Sequence, residues 1–493
     1  MIRTTATILL AAGTLVDWAS AGAQVEARSG YVTFPAPNSV VVADFNHDGA
    51  MDFAISSYYP EDGGPGIEVF LGNGDGTFKA PVKYVVTNGA GPLAVGDLNH
   101  DGNPDLVASS FGSNTVVVLL GDSDGTFQPP VTYATSGYPG AAVLGDFNND
   151  GKLDIAAVGY STEPVIDVLL GNGDGTFQEP AIVTHPPSGS GALALAAGNF
   201  NGDKNLDLAA TLGYISSDTV QILRGNGDGT FTLGDSYPLN PSALAIVAAD
   251  LRNNGKTDLA VAESGGALAV LLGKGDGTFQ QPVEYTLGWN FFVGVFPTTV
   301  AVGDMNGDRI PDLVTVPHII SNNTNYSAVY IFPGKGDGTF GSPEISYPAA
   351  YNSSPQGLAL ADFNCDQQLD LTFADEFGSH SGVSEYVVLN TGNVKFSPFS
   401  LLNFTNQKHG TTSPPQTVTL TNEGKASLSI TSIKTTGEFG ATSSCGKSVA
   451  AKASCTISVT FSPKGAGEMS GTVQIQDSAS SKPQVIALSG RGY

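Results

Sequence analysis

Seven short acidic segments hold the residues of this chain best suited to chemistry. In each, side-chain oxygens recur at positions 1, 3, 5 and 9 of a nine-residue stretch that reads Asp-x-Asn-x-Asp-Gly-x-x-Asp in the first copies. The first three sets are complete: Asp44, Asn46, Asp48 and Asp52; Asp97, Asn99, Asp101 and Asp105; Asp146, Asn148, Asp150 and Asp154. The fourth is Asn199, Asn201, Asp203 and Asp207, with Lys204 at the glycine position, and the fifth is Asp250, Arg252, Asn254 and Asp258. The sixth (Asp304, Asn306, Asp308, Asp312) and seventh (Asp362, Asn364, Asp366, Asp370) keep every oxygen but place Arg309 and Gln367 where glycine stood.

Oxygens at this spacing, joined by the backbone carbonyl of position 7, suit a hard cation that takes about six to eight oxygen ligands. Glycine at position 6 permits the positive φ of the turn. Three carboxylates in one loop repel one another unless a cation neutralises them. Calcium is therefore the expected cofactor, in about five to six loops. Loop four, lacking its first carboxylate, is expected to bind more weakly. Loop five is expected to be empty, with Arg252 as an internal cation for Asp250 and Asp258. The alternative, that Asp and Asn only satisfy backbone groups in a turn, explains one copy better than seven. An EF-hand is excluded, because position 12 is Ile55, Ala108 and Ala157 in the first three copies and the flanks read as strands.

The elements that must position these loops follow from a repeat. The loops begin at 44, 97, 146, 199, 250, 304 and 362, a mean period of about 53 residues, which marks a stack or ring of supersecondary units. A second block, Leu-Gly-Asn-Gly-Asp-Gly-Thr-Phe at Leu71 to Phe78, recurs at 120–127, 170–177, 224–231, 272–279 and 333–340, and in decayed form at 389–396. Its Asp-Gly pairs read as hairpin turns. No Lys-Ser/Thr follows them and no helix begins there, which argues against a phosphate cradle. Four strand signals fall in each unit: for the first, Ser39 to Phe45, Asp52 to Ser56, Ile67 to Leu71 and Thr77 to Tyr84. The third is almost wholly apolar, as in Thr115 to Leu120, and suits burial on both faces. Four short antiparallel strands, seven times over, predict an all-β fold: a seven-bladed β-propeller over 38–402, preceded by a lead-in at 24–37. Closure into a ring protects sheet edges that a linear β-solenoid, the main competitor, leaves open.

These loops and Gly-Asn-Gly-Asp-Gly-Thr-Phe turns resemble the FG-GAP/VCBS repeats of integrin-α-like propellers, over about residues 38 to 400. The resemblance implies that each loop joins the first two strands of a blade and binds calcium structurally. From about residue 403 the composition shifts to Thr, Ser, Val and Lys with strand-length alternation, which reads as an Ig-like β-sandwich over 403–493. Thr417 to Gly424, Ala453 to Pro463 and the terminal Leu-Ser-Gly resemble the Hydin/MSP-like Ig domains of bacterial choice-of-anchor D proteins, which implies an adhesive or spacing role. Cys445 and Cys455 are expected to form a disulfide within this small domain. Cys365, at position 4 of loop seven, reads as a passive substitution, and His47 and His100 at the same position read as surface residues.

Arg3, the apolar run Thr5 to Val16 and the Ala21-Gly22-Ala23 site read as a signal peptide over 1–23. No run is long enough to cross a bilayer, so a secreted protein, extracellular, periplasmic or held at a cell surface, is expected. The formal net charge is −25 and the pI about 4.3, which speaks against nucleic acid as a partner. Nineteen aspartates at ligand positions and six in Asp-Gly turns account for 25 of the 46 acidic residues, so the charge is largely a property of the loops. The six histidines are scattered and no HExxH or GxSxG motif occurs, so no enzymatic activity is expected. The function expected is a calcium-stabilised scaffold for adhesion to an extracellular protein or glycan. A lectin and a polysaccharide lyase-like enzyme are the alternatives, with Trp289, Tyr58, Tyr59 and Tyr351 as candidate sugar-stacking residues. Packing against the C-terminal domain or the propeller core is the plain alternative for the aromatic run at 289–296.

Overall fold

The computed structural model describes residues 25–31, 33, 36–57, 66–86, 88–160, 165–184, 191–213, 218–240, 243–287, 293–321, 324–346, 354–375, 385–390, 394–397, 402–422, 427–478 and 483–493. The signal segment 1–23 and all four candidate sugar-stacking residues, Tyr58, Tyr59, Trp289 and Tyr351, lie outside them.

Each repeat folds as its turn chemistry demands. Pro37–Ala43 runs into the first acidic loop and Asp52–Ser57 runs back. Ile67–Phe70 then enters the glycine-rich turn and Val82–Tyr84 leaves it, giving one antiparallel four-stranded sheet. The turn closes on itself: Asp75 Oδ1 accepts the Thr77 amide at 3.0 Å and the Thr77 hydroxyl at 2.5 Å. Gly74 and Gly76 supply φ values of 70° and 79° that other residues avoid. The same bonds recur at Asp124, Asp174, Asp228, Asp276 and Asp337. Six further blade-like four-stranded sheets follow along the chain. In the sixth repeat an added three-stranded sheet of Val293–Phe296, His318–Ser321 and Thr324–Ser327 branches off. Its Val295 and Ile319 are buried with Ala262 and Leu268, so this part of the aromatic insertion serves packing.

The sheets join through apolar layers. The third strands are buried along their length, as expected for strands covered on both faces. The phenylalanine after each turn meets position 2 of the preceding repeat's acidic loop: Phe127 on Phe45 at 5.4 Å, Phe231 on Phe147 at 5.7 Å and Phe279 on Phe200 at 5.3 Å between ring centroids. A tyrosine of the outer strand accepts that phenylalanine's amide in its hydroxyl, as Tyr84 does from Phe127 at 2.8 Å and Tyr237 from Phe279 at 2.6 Å. The first sheet stands in the same relation to the seventh. Phe78 packs on Phe363 at 5.5 Å and donates its amide to the Tyr31 hydroxyl at 3.2 Å, and the Gly76 amide donates to the Phe363 carbonyl at 3.1 Å.

Tyr31 ends the strand Val25–Tyr31, which lies in the span expected to be a lead-in. This strand pairs antiparallel with Glu385–Asn390 and completes the sheet of Pro355–Ala361, Asp370–Asp375 and Glu385–Asn390.

The C-terminal unit is a β-sandwich. Val394–Ser397, Gln416–Asn422, Ser454–Phe461 and Phe439–Ser443 form one sheet. Leu402–Gln407, Gln484–Gly492, Gly467–Asp477, Leu428–Thr435 and Ser448–Val449 form the other. Val418, Ile457, Val459, Val473 and Ile475 fill the space between them, every one fully buried. The sandwich begins earlier than the composition shift at 403 implies. Val394 and Phe396, which look in sequence like the end of a seventh glycine-rich turn, are core residues of the sandwich. Cys445 and Cys455 are disulfide-bonded, as expected.

Candidate metal centres

The acidic loops stand at one end of their sheets, each between a first and a second strand. Position 1 organises the loop: in loop one, Asp44 Oδ1 accepts the Asp48 amide at 3.1 Å and Oδ2 the Gly49 amide at 2.9 Å. Loops two, three, six and seven repeat the pattern through Asp97, Asp146, Asp304 and Asp362. Arg309 and Gln367 adopt the glycine conformation at φ 68° and 70°, so losing that glycine leaves loops six and seven intact. Asn46 and Asp48 lie beside Asp44, with Asn46 Nδ2 donating to Asp48 Oδ2 at 3.0 Å.

Position 9 does more than its place in a ligand set suggests. Asp52 is wholly buried and clamps two segments, accepting the Phe45 amide at 2.8 Å on one oxygen and the Gly72 amide at 2.7 Å on the other. The acidic loop is thereby tied to the glycine-rich turn of its own sheet. All seven copies, Asp52, Asp105, Asp154, Asp207, Asp258, Asp312 and Asp370, are 0% exposed and make both bonds.

Burial of these carboxyls has an electrostatic consequence. Desolvation, partly offset by the two amides and reinforced by the carboxylates at positions 5 and 1, pushes Asp52, Asp105 and Asp312 up to about 6. Asp154 and Asp207 are raised by burial as well, and Asp370 is raised well above its ordinary value. Among the described residues, none of these six has a salt-bridge partner.

Loop five differs at positions 3 and 5, where Arg252 and Asn254 replace Asn and Asp. Arg252 occupies position 3 and its guanidinium reaches the buried position-9 carboxylate, Nη2 to Asp258 Oδ1 at 2.6 Å and Nε to Oδ2 at 3.1 Å. The same Nη2 donates to the Gly273 carbonyl at 2.6 Å. Asp250 accepts the Arg252 backbone amide instead, and no Arg252–Asp250 salt bridge occurs. The internal cation therefore serves Asp258 directly.

Loop four departs in another way. Asn199 donates from its side-chain amide to the Asp203 carbonyl, while its Oδ1 accepts the Gly202 amide at 2.8 Å. A donor thus stands where the other loops present a carboxylate oxygen. Arg224, at the position usually held by leucine in the glycine-rich block, adds positive charge near Asp207.

The donor set fits a divalent oxygen-seeking cation on these grounds. Buried, mutually repelling carboxylates recur, and loop five carries a built-in positive group at the carboxylate that loops one to three, six and seven leave unneutralised. Among the described residues, no three His, Cys, Asp or Glu side chains converge closely enough to hold a metal alone. An ion there would need the Asn46-type amide oxygen and a backbone carbonyl as well, which is the mixed donor set calcium accepts.

Position 4 was legible only as a surface residue, yet it faces the next loop. His47, at φ 56°, places Nε2 3.1 Å from Asn103 Oδ1 of loop two. Asn149 donates to Asn205 Oδ1 of loop four at 2.8 Å, and Asn253 to the Arg309 carbonyl of loop six at 2.9 Å. The Cys365 thiol lies 3.8 Å from the Gly49 carbonyl of loop one, beside an open cavity of about 370 Å³ lined also by Asp48, Asn73 and Lys79. The sequence also gave no signal for the buried carboxylates at the opposite end of the sheets. Asp167, Asp218 and Glu263 there accept amides of Ser136, Ala243 and Asn240 in the connections between sheets.

Five overlapping windows, 44–108, 97–157, 146–210, 199–261 and 250–315, match the FG-GAP-like repeat, each running from the first residue of one acidic loop through the second strand of the next. The chain belongs to the FG-GAP-like repeat family. Loop seven lies beyond the matched windows. Residues 394–485 match the ASPM-SPD-2-Hydin domain, named for abnormal spindle-like microcephaly-associated protein, and this span includes the early strand at Val394. Among solved structures, the ASH/PapD-like domain 7 of human CEP192 is 17% identical, covering 20% of this chain and 85% of that one with a TM-score of 0.17, too slight a likeness to bear on function. No curated protein matches the chain.

Proposed function

We propose that the seven sheets close into a seven-bladed β-propeller whose acidic loops hold calcium, and that the protein is a secreted, non-enzymatic scaffold that binds an extracellular protein or glycan. Closure is supported by Val25–Tyr31, a strand from before the first repeat that fills the outer position of the seventh sheet. It is supported as well by Phe78, Tyr31 and Phe363, which repeat between the seventh and first sheets the contacts made between other neighbours. The observation that carries the metal reading is the Arg252–Asp258 pair in loop five, a side-chain cation at the carboxylate that has none in loops one to three, six and seven.

Asp44, Asn46, Asp48 and Asp52, and their counterparts in loops two, three, six and seven, would hold the ion; loop four would hold it weakly. Its role there is to neutralise the loop and fix the turn, not to activate a substrate. The disulfide accords with an oxidising compartment, and no helix among the described residues is long and apolar enough to cross a membrane. The sandwich then serves as spacer or docking module. Calorimetric titration of metal-stripped protein tests the metal reading: five or six calcium ions are expected, and no heat of binding, or seven equivalent sites, refutes it. Screening the calcium-loaded protein against glycans and surface extracts tests the partner class, and calcium-dependent release of unsaturated oligosaccharides would overturn the non-enzymatic reading.

A further inference from the structure

The side chains at position 4 form a pattern that the metal ligands alone do not require. Outside glycine, this position sits in the left-handed region in every loop: His47, His100, Asn149, Asn253 and Cys365 have φ between 51° and 60°. That conformation is unfavourable for a side chain with a Cβ, least so for Asn. In four loops the residue meets the position-6 or position-7 segment of the following loop: one to two through His47–Asn103, three to four through Asn149–Asn205, five to six through Asn253–Arg309, and seven to one through Cys365–Gly49. Loops four and six carry Gly202 and Gly307 at this position and have no side chain to extend. Among the described residues, His100 of loop two makes no such bond to loop three, while loops four and five are joined by another route, the Thr257 hydroxyl donating to the Asn199 carbonyl at 3.2 Å.

We infer that the position-4 side chains couple the loops pairwise, seven to one, one to two, three to four and five to six, so that ordering one loop pre-forms the position-6 and position-7 turn of the next in these pairs. The inference rests on the calcium reading of the loops. Its physical basis is local. Metal on positions 1, 3 and 5 fixes the residue between them, position 4. That residue holds position 6 or 7 of the neighbour, the stretch whose backbone carbonyl completes the neighbour's donor set. Asn205 shows the relay directly, accepting from Asn149 and donating in turn to the Gly225 carbonyl at 3.2 Å. The pair of loops five and six is a special case. Loop five is neutralised by Arg252 and needs no metal, so loop six has a permanently ordered neighbour.

The test is hydrogen–deuterium exchange of the full chain at stepped free calcium, read as the half-protection concentration of each loop's peptides. In the natural protein, loops three and four should protect together. Asn149→Gly keeps the left-handed turn without strain, as glycine does at the same position in loops four and six, and removes the link to Asn205 together with the longer contact to the Gly227 carbonyl of the same repeat at 3.5 Å. It should shift loop four to about two- to tenfold higher calcium, the weight of one neutral hydrogen bond, and leave loops one and two unmoved. Asn253→Gly should shift loop six alike although loop five binds nothing. If calcium protects the loops but neither variant moves its neighbour, or if every loop shifts equally, the coupling is refuted while the metal reading stands. If calcium protects no loop, the metal reading itself fails and the coupling with it.

Discussion

Glu263 is a single residue whose ionisation should be visible in the stability of the whole protein. It is wholly buried, and burial, reinforced by the nearby Glu284 carboxylate, pushes its carboxyl up to about 7 from an ordinary 4.5. A carboxyl raised in the folded state contributes stability below the unfolded value and loses it as pH rises through the folded one. Glu263→Gln should therefore flatten the fall in melting temperature between about pH 4.5 and pH 7 and stabilise the protein at pH 8; an unaltered pH profile would contradict this placement. Arg252 gives a second residue-scale expectation. Arg252→Ala strands the buried Asp258 charge, a loss of about 3 to 5 kcal/mol by analogy with broken buried pairs. Arg252→Asn restores the position-3 oxygen seen in the other loops, so its loss should be large in chelator and largely recovered in calcium. Thermal melts of both variants with and without calcium check this, and equal losses in the two conditions would count against a shared site.

At the scale of elements, the strand Val25–Tyr31 should carry weight beyond its length. Removing residues 1 to 32 strips the outer strand from the seventh sheet and leaves the Glu385–Asn390 edge unpaired. Loss of folded monomer or edge-to-edge association is expected, measurable by size exclusion with light scattering, whereas Tyr31→Phe loses one hydrogen bond to Phe78 and about 1 kcal/mol. The repeat elements themselves were readable because their chemistry is local. An aspartate that caps its own turn two to five residues away leaves its spacing in the sequence, and seven copies make the spacing unmistakable. What stayed hidden depends on distant pairing. Nothing near Val25 says that its partner is Asn390, although Tyr31 occupies the place of Tyr84 and Tyr237 in other sheets. Phe396 imitates a turn phenylalanine so well that only its packing with Val418 and Leu420 assigns it to the sandwich. Position 9 was found as a ligand candidate, but its clamp on the glycine-rich turn needs the third strand to be in place first. The position-4 links escaped because each joins residues 56 positions apart, or opposite ends of the repeat array.

The whole molecule joins two units held by different means: a repeat array stabilised, on this account, by metal, and a sandwich stapled by Cys445–Cys455. Reduction should lower the melting of the sandwich, by about 2 to 4 kcal/mol or less for so short a loop, and leave the repeat array unchanged. Two separate calorimetric transitions, with only one sensitive to reductant, are expected. For the array the scale is set by linkage: a site at ten times its dissociation constant adds about 1.4 kcal/mol, so several sites rival the roughly 5 to 15 kcal/mol margin of a domain. Scanning calorimetry of the full chain in millimolar calcium and again in excess chelator tests this most directly. A fall of the repeat-array transition by about ten degrees or more on chelation, with the sandwich transition fixed, is predicted. Superimposable traces would contradict the claim that the acidic loops are calcium sites on which the fold depends.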